Sequence, residues 1–239
     1  MSAPGFFTRG VPFSLPHPEI HLRLILIVDA VVARGLQLLR EHPPLGFDLG
    51  SAQEDTITFQ LHWVIANRLH KNKEVAGFDK RTFTTVEREP KVCNYDGSQL
   101  DKMPDLVFRL NRDQLPVLPS HDGLFVECKP VDRKHPAGQD YCDAGLQRFV
   151  DGGYAWTMQD ALMVAYVRDE RSIAKSLIPA IAPRRKKLGV LQEPVPLDES
   201  GARSVDALHV SLHARSFRWP DGRGRACSIR IFHSWHSCF

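Results

Sequence analysis

A chain of 239 residues is long enough to bury a sizeable core, and a composition of 43% hydrophobic and 25% charged residues excludes a disordered or low-complexity scaffold. A formal net charge of +3 leaves the whole chain only mildly basic, so charge alone does not mark a nucleic-acid binder. Five cysteines, at 93, 128, 142, 227 and 238, are odd in number and irregular in spacing; they do not describe a disulfide framework and fit a reducing cytoplasm.

The chain reads as one domain in four stretches: an N-terminal arm and helix (1–50), a core (51–182), a basic loop (183–205) and a C-terminal hairpin (206–239). After an arm carrying Pro4, Pro12, Pro16 and Pro18, an apolar stretch predicts a buried amphipathic helix over about 18–41. Arg23, Asp29 and Arg34 interrupt it, so no run approaches membrane-spanning length. Paired prolines and glycines at 43–50 mark a loop. Ser51 and Glu54 then match a capping box, and Ile57, Leu61, Val64, Ile65 and Leu69 recur at helical spacing to about residue 70.

From about 80 the period becomes strand-like. Residues 81–89, 105–110 and 123–129 predict three consecutive strands, followed by a helix over 141–156, a strand at 161–169 and a helix over 170–182. Leu146, Phe149, Val150 and Tyr154 fall on one side of the first of these helices. Residues 183–205 lack a clear period and predict a long loop, and the chain closes with a hairpin turned at 220–224. This order predicts a mixed α/β domain with a central mixed sheet flanked by helices.

One strand carries charge where a buried strand normally excludes it. In "GLFVECKPVD" (123–132), alternation puts Phe125, Glu127 and Lys129 on one face and Val126 and Cys128 on the other. A Glu-x-Lys triplet alone means little. Glu89-Pro90-Lys91 has the same spacing, but its proline argues against a central strand, whereas the second triplet sits inside an apolar run. Likewise Pro220-Asp221 reads as turn chemistry, whereas Pro104-Asp105 opens an apolar strand. If the two strands are antiparallel neighbours, Asp105 lies across from Glu127 and Lys129.

Two carboxylates suit Mg²⁺, which takes oxygen ligands at about 2.0–2.1 Å and keeps several waters. A bound metal activates water and stabilises phosphate charge, and an adjacent ammonium orients the nucleophile or neutralises developing charge. Together these describe phosphodiester hydrolysis.

The "PD" at 104–105 and "ECK" at 127–129, with Glu54 on a helix before the strands and a further helix after them, resemble the PD-(D/E)xK nuclease superfamily. Its restriction-endonuclease-like core has the order α-β-β-β-α-β, matched by residues from about 51 to 168. The resemblance implies that Asp105, Glu127 and Glu54 ligate Mg²⁺ or Mn²⁺, with Asp55 as the alternative to Glu54, and that Lys129 acts on the attacking water. It implies a polar contribution from the following helix, for which Gln147 is the candidate, with Arg148 contacting phosphate. It implies a nuclease acting on DNA in preference to RNA, in bacterial genome defence or repair; the small size and the lack of a recognisable helicase or reader module suggest a homodimer or a targeting partner. The competing class is a non-catalytic nucleic-acid- or protein-binding module that keeps the fold.

Two further features are weighed. Arg184, Arg185, Lys186 and Lys187 form a basic run able to meet phosphates or simply to lie in solvent. His209, His213, His233 and His236 with Cys227 and Cys238 invite a zinc reading, but His209 and His213 are separated by about 13 Å along a strand. Packing is the preferred reading there, with Phe217, Trp219, Phe232 and Trp235 covering the sheet and nearby arginines suited to nucleic acid or an oligomer interface.

Overall fold

The computed structural model describes residues 15–112, 118–197, 208–219, 222 and 224–238. A single seven-stranded mixed sheet runs through it: β1 (Phe83–Arg88), β2 (Leu106–Leu110), β3 (Leu124–Val131), β4 (Asp160–Val167), β5 (Val190–Pro196), β6 (His209–His213) and β7 (Ile229–Ser237), in spatial order β1-β2-β3-β4-β7-β6-β5. The centre, β3-β4-β7, is parallel; β1-β2-β3 on one side and β7-β6-β5 on the other are antiparallel. Every residue of β3 and β4 is buried, which explains why both read as near-continuous apolar runs.

Helices cover both faces. Helix α1 (Leu22–Glu41) and α2 (54–70, whose last six residues, Ile65–His70, widen into π-type turns) lie on one. Thr58 of α2 meets Tyr166 at 3.0 Å, and Asp29 of α1 accepts a hydrogen bond from Ser234. Tyr166 and Ser234 share a face by register. Helix α3 (137–150, π-wound over Ala137–Leu146) lies on the other, where its Tyr141 reaches His233. Helix α4 (173–184) packs against α3. Among the described residues no helix is long and apolar enough to cross a membrane.

Three local expectations are corrected. Helix α1 begins four residues late because Pro16 and Pro18 hold the preceding chain extended, and the Ile20 amide donates to Asp160 Oδ2 at 2.7 Å. The capping box does not form: Gln53 precedes α2, and the Ser51 hydroxyl donates to Asp48 instead. The stretch 183–205 is not a loop throughout. The chain turns at Gly189 (φ +56), where a Cβ would run into the Ala214 carbonyl oxygen, and then forms edge strand β5 with bulged pairing to β6. Bulges and two prolines erase the alternation that would have announced it. The turn at 220–224 lies largely outside the described residues, but β6 and β7 pair as the expected hairpin.

Of the C-terminal histidines, His213 and His233 are core, whereas His209 and His236 are half-buried. His213 Nδ1 lies 2.8 Å from the Leu188 carbonyl, His213 Nε2 2.7 Å from Ser211 Oγ, Ser211 Oγ 2.8 Å from His233 Nε2, and His233 Nδ1 2.9 Å from the Tyr141 hydroxyl. The carbonyl can only accept, which orders the chain for neutral rings: Tyr141 donates to His233, His233 to Ser211, Ser211 to His213, and His213 to Leu188. An extra proton would force Ser211 or Tyr141 to redirect its hydroxyl to a more distant carbonyl, Ile231 or Met163, each at 3.4 Å. Burial accordingly pushes His213 down to about 4, and burial with His213 nearby pushes His233 well below the usual range.

An unfolded histidine titrates near its ordinary value, so between about pH 6.5 and 4 the unfolded chain binds the extra proton and stability falls as pH falls. His213 alone should cost about 2 kcal/mol by about pH 5. The urea midpoint should drop between neutral pH and pH 5, and less steeply for His213→Asn; parallel slopes in the two proteins would refute this origin.

Candidate active site

The expected strand pairing is present: Leu106 faces Val126 and Val107 faces Phe125 in antiparallel register, which carries Asp105 across from Glu127. Asp105 Oδ2 accepts the Cys128 amide at 2.6 Å, locking the start of β2 to the middle of β3. Cys128 itself points away, buried on the face of Tyr166, and burial raises its thiol far above its ordinary value, which rules out a resting thiolate. The site sits over the middle of β3, where its pairing changes from antiparallel with β2 to parallel with β4.

Lys129 is the hub. Its Nζ lies 2.5 Å from Glu54 Oε1, 3.0 Å from Glu127 Oε1 and 4.0 Å from Asp105 Oδ2. Helix α3 comes down on its stem at Gly145, where a Cβ would lie 3.4 Å from Lys129 Cγ and 2.8 Å from Met163 Cε. Glu54, in the first turn of α2, reaches in from the other layer, whereas Asp55 faces solvent. Glu127 is fully buried: Oε1 also accepts from Arg148 Nη1 at 2.9 Å, and Oε2 accepts from the Tyr154 hydroxyl.

The charges disturb one another strongly. Burial, reinforced by Glu127, raises the Asp105 carboxyl to about 8, and burial also raises Glu54 despite Lys129 beside it. Burial alone would lower the Lys129 ammonium, but Glu127, Asp105 and Glu54 together hold it above the ordinary lysine value. Arg148 is raised for the same reason, with Glu127, Tyr154 and Asp105 together outweighing burial. Burial and Glu127 keep the Tyr154 phenol protonated.

Asp105, Glu127, Lys129 and Glu54 thus converge, with Arg148 at their edge. Gln147 does not. Its amide donates to Asp151 Oδ2 at 2.8 Å, and it lines a neighbouring cleft, because a helical step from Arg148 turns it away from the sheet. The basic run lies elsewhere too. Arg184 and Lys187 pair with Asp143 at 2.9 and 2.7 Å, Arg185 pairs with Glu193, and Lys186 is exposed; they tie α4 to α3 and β5.

The C-terminal aromatic residues form no exposed face: Phe217 and Trp219 join Leu15 and Trp156 in a small second core, and Phe232 and Trp235 are buried. Tyr154 was legible only as an apolar-face residue; its role beside Glu127 needs the turn at 151–153 that follows α3.

Among the described residues, no three His, Cys, Asp or Glu side chains stand ready as a metal cage, at the hairpin or here. Here the Lys129 ammonium occupies the space between the carboxylates. The donor set is nonetheless all oxygen, and two of its three carboxyls are raised chiefly by burial; three converging carboxyl groups are ligands that suit a hard divalent cation. No protein-family model matches the chain, and neither a curated protein nor a solved structure does.

Proposed function

We propose that the chain is a metal-dependent nuclease of the PD-(D/E)xK type, hydrolysing phosphodiester bonds in nucleic acid with DNA as its favoured substrate. The observation that carries this reading is the Lys129 ammonium set among Glu54, Glu127 and Asp105, where β2 begins beside the middle of β3. Asp105, Glu127 and Glu54 would hold Mg²⁺ or Mn²⁺. Such a cation, when bound, supplies an activated water and stabilises charge on the phosphate.

The chain's own residues do the rest. Lys129, charged throughout the physiological range, donates to the incoming water or to a phosphate oxygen as negative charge develops. Arg148, half exposed on the outer side of Glu127, offers its remaining guanidinium donors to a phosphate oxygen. Tyr154 and Arg148 hold the Glu127 carboxylate from two directions, so its oxygens keep one orientation.

Five free thiols agree with a reducing cytoplasm; a role in genome defence or repair follows from the resemblance alone, and a second copy or a targeting partner from the small size. A second reading has its own support: the ammonium already satisfies the carboxylates, as a non-catalytic binding module would require.

Supercoiled plasmid, linear duplex, single-stranded DNA and RNA, each incubated with Mg²⁺, Mn²⁺ or EDTA, separate the two. The nuclease should cut DNA with either metal and stop in EDTA. Binding without cutting under every metal condition would establish the module instead.

A further inference from the structure

Two clefts adjoin the carboxylate cluster. The larger, about 720 Å³, lies beyond the carboxyl ends of β3 and β4 and includes Glu54 in its wall; the smaller, about 320 Å³, includes Arg148. Glu54, Lys129, Glu127 and Arg148 join them through successive contacts of 2.5, 3.0 and 2.9 Å. The hydrolytic site is therefore the divide between two depressions, the arrangement that a polymer crossing the site requires.

We propose that the larger cleft is a phosphate-binding subsite for the nucleic-acid backbone next to the scissile bond, with Arg133, Lys134 and Arg168 as its contacts. This rests on the nuclease reading above. The turn after β3 is built to present cations. Asp132 Oδ1 accepts from the Lys134 and His135 amides at 2.7 and 2.8 Å while the Asp132 amide donates to the His135 carbonyl at 3.1 Å, so Arg133 and Lys134 occupy the two central positions of a closed turn. Both are exposed, and neither has an acidic partner among the described residues.

The acids of the same wall are committed. Asp132 also takes His135 Nδ1 at 3.0 Å and Arg168 Nη1 at 3.5 Å, and Asp169 is paired with Arg171 at 2.9 Å. Arg168 is held from behind by the Ala52 carbonyl, and its Nε is buried without an acceptor. Two unpaired cations on a rigid turn and a fixed guanidinium, around a space open to the cluster, suit successive phosphates.

The test measures binding of labelled DNA of about 20 nucleotides, single-stranded and duplex, with Ca²⁺ replacing Mg²⁺ and across a salt series. Arg133→Glu/Lys134→Glu should weaken binding about tenfold or more and make the log Kd against log salt slope shallower by about 1.5, two phosphate contacts' worth. Lys71→Glu, an exposed reversal at the far end of α2, should change neither.

Both turn residues are exposed and unpaired, so the double variant should melt with the wild type. If the wild type cuts DNA and the double variant binds with unchanged affinity and slope, the cleft assignment fails alone. Weakening of the same size in Lys71→Glu would also overturn it, as a mere net-charge effect. A wild type that neither binds nor cuts removes the nuclease reading and this subsite with it.

Discussion

Replacing Lys129 with Met should lower the proposed metal-dependent DNA cleavage by about 10²–10³-fold, the usual cost of losing one preorganised donor to transition-state charge, while leaving the protein folded. The second half of this expectation needs argument, because removing an ammonium from among three carboxylates invites collapse of the site. Two of the three can answer by taking up protons. Asp105 is already raised to about 8 by burial and Glu127, so it can stay neutral near neutral pH, and Glu54, raised by burial, shifts further in the same direction once Lys129 no longer opposes it.

Glu127 keeps Arg148 and Tyr154 as hydrogen-bond partners. The methionine stem fills the channel beside Gly145 much as the lysine stem does. The comparison to make is cleavage rate together with melting temperature, in parallel preparations. Unchanged cleavage by Lys129→Met would place the chemistry somewhere other than this cluster, or outside the protein; lost cleavage accompanied by unfolding would show that the ammonium is structural first.

That cluster was legible in the sequence because strand alternation is rigid. Glu127 and Lys129 two apart must share a face, and an antiparallel neighbour entering at Asp105 must bring its carboxylate opposite. Between Glu54 and Asp55 the sequence left the choice open, and it is the docking of α2 that turns Glu54 to Lys129 and leaves Asp55 exposed.

What stayed hidden depended on contacts between distant segments. Gln147 and Arg148 are neighbours in sequence, and only the docking of α3 at Gly145 decides which of them meets Glu127. Tyr154 lies beyond a turn that no periodicity describes. The basic run looked available because its partners, Asp143 and Glu193, lie on other elements. Strand β5 was hidden for a different reason, since a bulged edge strand with prolines has no alternation to read.

Glu127→Ala should be the most destabilising single change at the site, by about 3–5 kcal/mol, the cost of breaking a buried charged pair from one side. Glu127 has no solvent exposure and three donors, and their fates differ. Arg148, half exposed, can turn to water. Lys129 retains Glu54. Tyr154 cannot move, since its ring packs edge-on against Phe149 with centroids 5.1 Å apart, so its buried hydroxyl is left without an acceptor.

For a chain of this length the loss corresponds to a fall in melting temperature of about 10 °C. Glu127→Gln keeps the shape and one acceptor and should cost much less while still ending cleavage. The sharper check is a double-mutant cycle: if the stranded hydroxyl carries a large part of the penalty, Tyr154→Phe should be destabilising in the wild type and nearly neutral in the Glu127→Ala background. Equal costs in both backgrounds would mean that Tyr154 and Glu127 are uncoupled, and a Glu127→Ala protein melting within about 2 °C of wild type would mean that the carboxylate is not the buried anchor described here.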